Sequence, residues 1–187
     1  MIEIDEKEAE QHVSGLLHAM HIVSKPGMED TSQRVVRMLR EVWQGERYSN
    51  ADIAEMYGKV FPCDTNDMVV VKDIEAFSYC EHHLALIYNM KISVAYLPEG
   101  KVIGLSKIAR IVDMCCKRLQ LQERIGHDIV DVMTRIVGPN VAVRIEANHS
   151  CMTARGIKKP SSKTVTYATS GAFEQDTEFN RFQAALQ

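Results

Sequence analysis

Across residues 4–22 the apolar positions Ala9, Val13, Leu16, Leu17 and Met20 recur at helical spacing, which predicts an amphipathic helix. Lys25-Pro26-Gly27 breaks it. Asp30 or Thr31 can cap a second helix carrying Val35, Val36, Met38 and Leu39, running to about Trp43 before Gly45 ends it. A weaker third helix is predicted from about Asn50 to Tyr57. After Pro62 the period changes. Residues 68–79 and 87–96 are β-branched and extended, the second ending at the turn signal Leu97-Pro98-Glu99-Gly100.

Helical periodicity then returns twice. From Ser106 to about Leu119, Ile108, Ile111, Val112, Cys115 and Leu119 share a face; over 122–137 so do Ile125, Ile129, Val132, Met133 and Ile136. Gly138-Pro139 stops the second helix. Residues 141–149 alternate, with Val141, Val143, Ile145 and Ala147 on one side and Arg144 and Glu146 on the other. A last strand covers about 163–169, and the polar tail after Gly171 reads as mobile or helical. The pattern is an arm of helices (1–65) followed by a β-β-α-α-β-β body (66–187), an α+β class with an antiparallel sheet and two consecutive helices.

Composition narrows the function classes. The chain has 187 residues, 45% hydrophobic and 25% charged, as in an ordinary globular protein. A net charge of −3 argues against a general nucleic-acid binder, which needs a basic footprint. The opening MIEIDEKEAE is acidic and polar, unlike a secretory signal, and no apolar run approaches membrane-spanning length. The five cysteines, Cys63, Cys80, Cys115, Cys116 and Cys151, are odd in number, so a disulfide framework is not expected and a cytoplasmic setting is. Cys115 and Cys116 fall within a helical pattern and read as core. His12, His18 and His21 lack a surrounding cluster of ligands and read as solvated or packing residues.

Three constellations carry candidate chemistry. Cys80 and His83 lie in the connection between two strands, where a tight turn can aim both at one ion; Cys151 is a third donor of the kind zinc prefers. Three protein ligands leave a position for water, which favours a catalytic over a structural metal. If the strand through His149 stays extended, His149 and Cys151 face the same way. The bland alternative is buried thiols and satisfied core histidines. The second constellation is Gly104 to Arg110, where a helix begins with free N–H groups and Lys107 and Arg110 share a face that continues toward Lys117 and Arg118. Arg155 could add a cation, although an ordinary solvated basic face would look the same. The third is Gln120 to Arg124 at a helix junction. A carboxylate there could accept two parallel hydrogen bonds, such as a guanine edge donates, or could merely complement the helix dipole.

Together these residues resemble the GTP cyclohydrolase I family. The matching segments are CEHH at 80–83, VAYLP at 94–98, VIGLSKIARIV at 102–112, RLQLQER at 118–124 and HSCMTARG at 149–156. DTSQRVVRML at 30–39 is similar to the family's T-P-x-R-V segment, with Ser32 where proline is usual. Tyr88-Asn89-Met90 stands in the hairpin after CEHH, where many members have a glycine turn.

The resemblance implies the tunnelling fold, a four-stranded antiparallel sheet with two helices on one face. It implies a homodecamer of two pentameric rings, whose closed sheets leave no exposed edge. It implies hydrolysis and rearrangement of GTP to 7,8-dihydroneopterin triphosphate and formate, the first step of tetrahydrofolate and pterin biosynthesis. Zinc would be held by Cys80, His83 and Cys151, with His149 moving protons and His82 assisting at the ribose end. Glu123 with Gln122 would grip guanine; Lys107, Arg110 and Arg155 would hold the triphosphate, and Ser106 the ribose or a phosphate. The nitrile reductase of the queuosine pathway shares the fold and a purine-binding glutamate, but uses a cysteine nucleophile and NADPH. The histidine pair and Cys151 favour the cyclohydrolase. A non-catalytic zinc-stabilised module gives no reason for His82, His149 and the basic face.

Overall fold

A computed structural model describes residues 4–187. The arm opens with α1 (Glu6–Ala19), whose N-cap Asp5 accepts a hydrogen bond from the Glu8 N–H at 2.9 Å. It packs on α2 (Thr31–Val42), and Arg40 pairs with Glu6 across the two. His12, His18 and His21 are solvent-exposed, as a solvated role requires. A 3-10 turn, Gln44–Arg47, leads into α3 (Asn50–Tyr57), started by a reciprocal Ser49–Asp52 capping box. Ile53 on α3 is fully buried in the main core, so this end of the arm is packed into the body.

The arm ends with β1 (Val60–Pro62), and the body follows with β2 (Val69–Cys80), β3 (Ala85–Tyr96), β4 (Lys101–Ile103), α4 (Leu105–Cys116), β5 (Leu119–Gln120) and α5 (Gln122–Val137). β6 (Val141–His149), the single helical turn α6 (Ser150–Thr153), β7 (Thr164–Ser170) and α7 (Asp176–Ala185) complete it. The main sheet runs β5-β2-β3-β6-β7. Its four long strands are antiparallel, as expected, but the two-residue β5 adds a fifth, parallel to the end of β2. No periodicity can announce a strand that short. β1 and β4 pair separately.

Helices α4 and α5 cover one sheet face. Ile108, Ile111, Val112, Cys115, Ile125, Ile129, Val132 and Met133 meet Ile87, Ile92, Val94, Val143 and Ile145 in one buried cluster. Burying each such branched side chain contributes about 1.5–3 kcal/mol. Gly126 allows the close approach of α5 to β7, since a Cβ there would sit 3.2 Å from the Ala168 methyl. On the opposite face Phe173 and Phe182 from the C-terminal segment pack with Ala95 and Ala142. The polar tail is therefore helical and anchored by two aromatic rings.

Residues 88–90 do not form a hairpin turn. They lie inside β3 at a register shift, where Asn89 takes the left-handed conformation (φ 50°) that glycine or asparagine accepts at least cost. The reversal itself spans residues 81–84, with Leu84 at φ 50°.

Candidate metal centre and its surroundings

Cys80 is the last residue of β2, bracketed by Ala85 of β3 and Gln120 of β5, and its thiol is buried. The reversal that follows puts His83 at the surface. Cys151 arrives from the other side of β3. β6 ends at His149, opposite Ile87, and the backbone then turns into α6, so Cys151 comes from a helical turn and not from a continued strand. The alternation that placed His149 and Cys151 on one strand face thus fails after His149. The turn is pinned to β3 by the Ser150 hydroxyl donating to Leu86 O at 2.6 Å and by Tyr88 Oη against Thr153 Oγ1 at 3.0 Å.

The donor atoms of Cys80, His83 and Cys151 all lie within 4.8 Å of one another. A tetrahedral zinc with bonds of about 2.0–2.3 Å needs donors roughly 3.3–3.8 Å apart, so small side-chain adjustments complete the set. The donors, two thiols and an imidazole, also suit zinc chemically. Burial, and then the neighbouring Cys80, push the Cys151 thiol above its ordinary pKa. Two thiolates that close repel unless a cation lies between them.

Beside this group, half-buried His149 has Nε2 at 2.8 Å from Gln122 Oε1. Burial lowers the His149 pKa, and the Glu123 carboxylate opposes that shift. Glu123 is exposed, whereas Gln122 is 1% exposed. The Gln122 amide nitrogen faces Ile145 O, Thr164 O and Thr166 Oγ1 at 3.1–3.2 Å. Both polar atoms of the Gln122 side chain are thus engaged by protein partners, unlike the exposed Glu123 carboxylate beside it. Thr164 and Thr166 were missed by sequence reasoning. Their shared strand parity with buried Ala168 was the signal that could have placed them on the α5 side.

Ser106 and Arg110 are exposed, and Lys107 is half-buried, at the start of α4, where N-cap Gly104 supplies no side-chain cap. Among the described residues, Lys107, Arg110 and Arg155 make no ion pair, and no hydrogen bond links the α4 residues to the metal ligands. Arg155 Nη1 does reach His83 Nε2 at 3.3 Å. The basic face does not continue as expected. Lys117 pairs with Asp113 at 3.0 Å, and Arg118 is turned inward against Asp128, Asn50 and backbone carbonyls. His82 is exposed and stands edge-on to His83, with ring centres 6.4 Å apart. Glu81 meets Arg124 at 2.6 and 3.4 Å, tying the ligand turn to the first turn of α5. A cavity of about 870 Å³, lined by Phe77, Leu86, Tyr88 and Asn148 among others, includes none of the three ligands. The clustered side chains locate the chemistry better than that hollow does.

A family model described as GTP cyclohydrolase I matches residues 9–186. A "GTP cyclohydrolase 1" from Clostridium botulinum (strain Loch Maree / Type A3) is 52% identical over 181 residues, covering 92% of each chain. Another from Ruminiclostridium cellulolyticum is 51% identical over 182 residues, covering 93% of each, and one from Clostridium acetobutylicum is 49% identical over 180 residues, covering 92% of each. Among solved structures, an archaeosine synthase QueF-Like in the apo form is similar, with TM-score 0.47 and 22% identity over 58% of this chain and 98% of that one.

Proposed function

The chain belongs to the GTP cyclohydrolase I family, and from that premise we propose that it converts GTP and water to 7,8-dihydroneopterin triphosphate and formate. The observation that carries this reading is the approach of the Cys80, His83 and Cys151 donors to within 4.8 Å of one another, with His149 at the strand end that leads into the Cys151 turn. These three residues would hold zinc, which when bound supplies the Lewis acidity that brings the ionisation of a coordinated water to about pH 7.

Around that centre each side chain has a task set by its chemistry. His149 exchanges protons with the imidazole portion of guanine as its ring opens. Exposed Glu123 accepts the N1–H and the exocyclic amine of guanine together. Adenine offers no such pair, so a desolvated Glu123 would be left unpaired against it. Lys107, Arg110 and Arg155, free of ion pairs among the described residues, meet the triphosphate; Ser106 hydrogen-bonds the ribose or a phosphate. His82 assists at the ribose end from its exposed place next to His83. The subunits act as a homodecamer of two pentameric rings in the cytoplasm. No helix of the described chain is long and apolar enough to cross a membrane. The sheet edges at β5 and β7 are supported as subunit contacts by their unpaired backbone groups.

Incubation of the zinc-loaded protein with GTP tests the reading through formate release and growth of pterin absorbance. Glu123→Gln should raise the dissociation constant for GTP about tenfold or more, because a charged acceptor of two hydrogen bonds is lost. Formate release that ignores zinc removal, or GTP binding indifferent to Glu123, counts against it.

A further inference from the structure

We infer that Gln122 is a positioning residue that fixes the ring orientation and the neutral tautomer of His149, holding the hydrogen on Nε2 and leaving Nδ1 without one. This rests on the role given to His149 above.

The argument starts at the far end of the amide. Gln122 Nε2 lies 3.2 Å from both Ile145 O and Thr164 O, and 3.1 Å from Thr166 Oγ1. Backbone carbonyls only accept, so the –NH₂ group must face them; the flipped amide would set Oε1 against two carbonyl oxygens. With the amide so oriented, Oε1 faces His149 Nε2 at 2.8 Å. An amide oxygen has no hydrogen to give. The imidazole must therefore donate from Nε2, and in the neutral ring the lone pair resides on Nδ1. Among the described residues, Nδ1 has no hydrogen-bond partner, so it is the nitrogen open to chemistry.

The arrangement is also rigid. Gln122 opens α5, its side chain is 1% exposed, and its three acceptors belong to β6 and β7, the strands that pair next to His149. The neighbouring residue in the same helical turn is Glu123, so one stretch of backbone places both the purine-facing carboxylate and the orienting amide.

Two measurements on full-length, zinc-loaded protein test this. In the first, ¹⁵N spectra of histidine-labelled protein, with His149→Ala used to identify the His149 signals, should show a protonated Nε2 and an unprotonated Nδ1 at neutral pH. A protonated Nδ1 in the neutral ring overturns the inference. In the second, Gln122→Met keeps the length and removes the acceptor. It should keep zinc and the KM for GTP while lowering kcat by about 10–100-fold, the usual cost of losing an orienting partner. A raised KM with unchanged kcat would instead make Gln122 a purine contact and sink the proposal. If Gln122→Met does not fold, the spectrum of the unsubstituted protein decides alone. If that protein releases no formate from GTP, the functional reading fails, while the spectrum still judges the tautomer.

Discussion

Arg118 Nη1 sits 2.7 Å from Asp128 Oδ2, with the two side chains only 11% and 18% exposed. The same guanidinium donates to Asn50 Oδ1 at 2.8 Å, Tyr48 O at 2.7 Å and Gly45 O at 3.3 Å. It is a bolt between the helical arm and the junction of α4 with α5, just ahead of the turn that carries Gln122 and Glu123.

Removing that bolt should be expensive. Arg118→Ala leaves Asp128 without its cation and removes the guanidinium donor from the Tyr48 carbonyl in a poorly solvated place, and breaking such a pair from one side costs about 3–5 kcal/mol. Urea unfolding at fixed protein concentration measures it. A loss under about 1 kcal/mol would show that the cluster is open to water.

Gly45 and Gly15 make a matched pair. A Cβ on Gly45 would lie 2.1 Å from Met114 O and 2.8 Å from Lys117 O, whereas nothing stands within 4 Å of one on Gly15 in α1. Gly45→Ala should force the arm off the body and lower Tm markedly. Gly15→Ala should stabilise by up to about 1 kcal/mol through helix propensity. Equal thermal shifts for the two variants would contradict the close approach at Gly45.

Zinc binding should release protons. The Cys151 thiol is held above its ordinary pKa by burial and by Cys80, and zinc needs thiolates. Affinity should rise with pH across the neutral range, and Cys151→Ala should lose bound zinc. Competition with a chromophoric chelator at several pH values reads both; unchanged zinc content in the variant removes Cys151 from the ligand set.

Cys115 gives a pH prediction of opposite origin. Burial pushes its thiol up to about 12, and buried Cys116 is also raised. An unfolded thiol ionises near 8.5, so the unfolded chain loses protons first as pH rises. The stability from keeping these thiols neutral is therefore complete below about pH 8.5 and is lost progressively toward pH 12. Denaturation midpoints should fall from pH 8 to pH 10, and less steeply in Cys115→Ala. Alkylation of the native protein should label Cys63 and spare Cys115 and Cys116; rapid labelling of Cys115 would contradict its burial.

The Glu81–Arg124 pair should contribute little to global stability. The side chains are 30% and 53% exposed, so a double-mutant cycle is expected to give about 0.2–1 kcal/mol. A coupling well above that would mean that another surface covers the pair.

Most of the architecture was legible in the residue pattern. The apolar stripe from Ile125 to Ile136 and the alternation from Val141 to Ala147 mark α5 and β6 because a helix and a strand each expose one face to the core, and their periods differ. Cys80, His83 and Cys151 were legible as a candidate donor set because few other roles suit two thiols and an imidazole, and the fold brings their donor atoms within 4.8 Å of one another. What periodicity could not convey was any event shorter than a period: β5, the bulge at Asn89, and the turn that carries Cys151 on α6.

The sequence by itself determined the order of the long elements, the candidate donor set and the family, since these depend on side-chain type and spacing along the chain. Tertiary structure alone decided which polar groups face one another. Arg118 reads as one more cation on a basic face, yet the fold surrounds it with acceptors. Gln122 reads as a partner for Glu123, yet two carbonyls from β6 and β7 capture its amide and turn its oxygen to His149. The reason is physical. A hydrogen bond is set by direction and distance among atoms that are remote along the chain, and burial then makes it costly to leave any one of them unpaired.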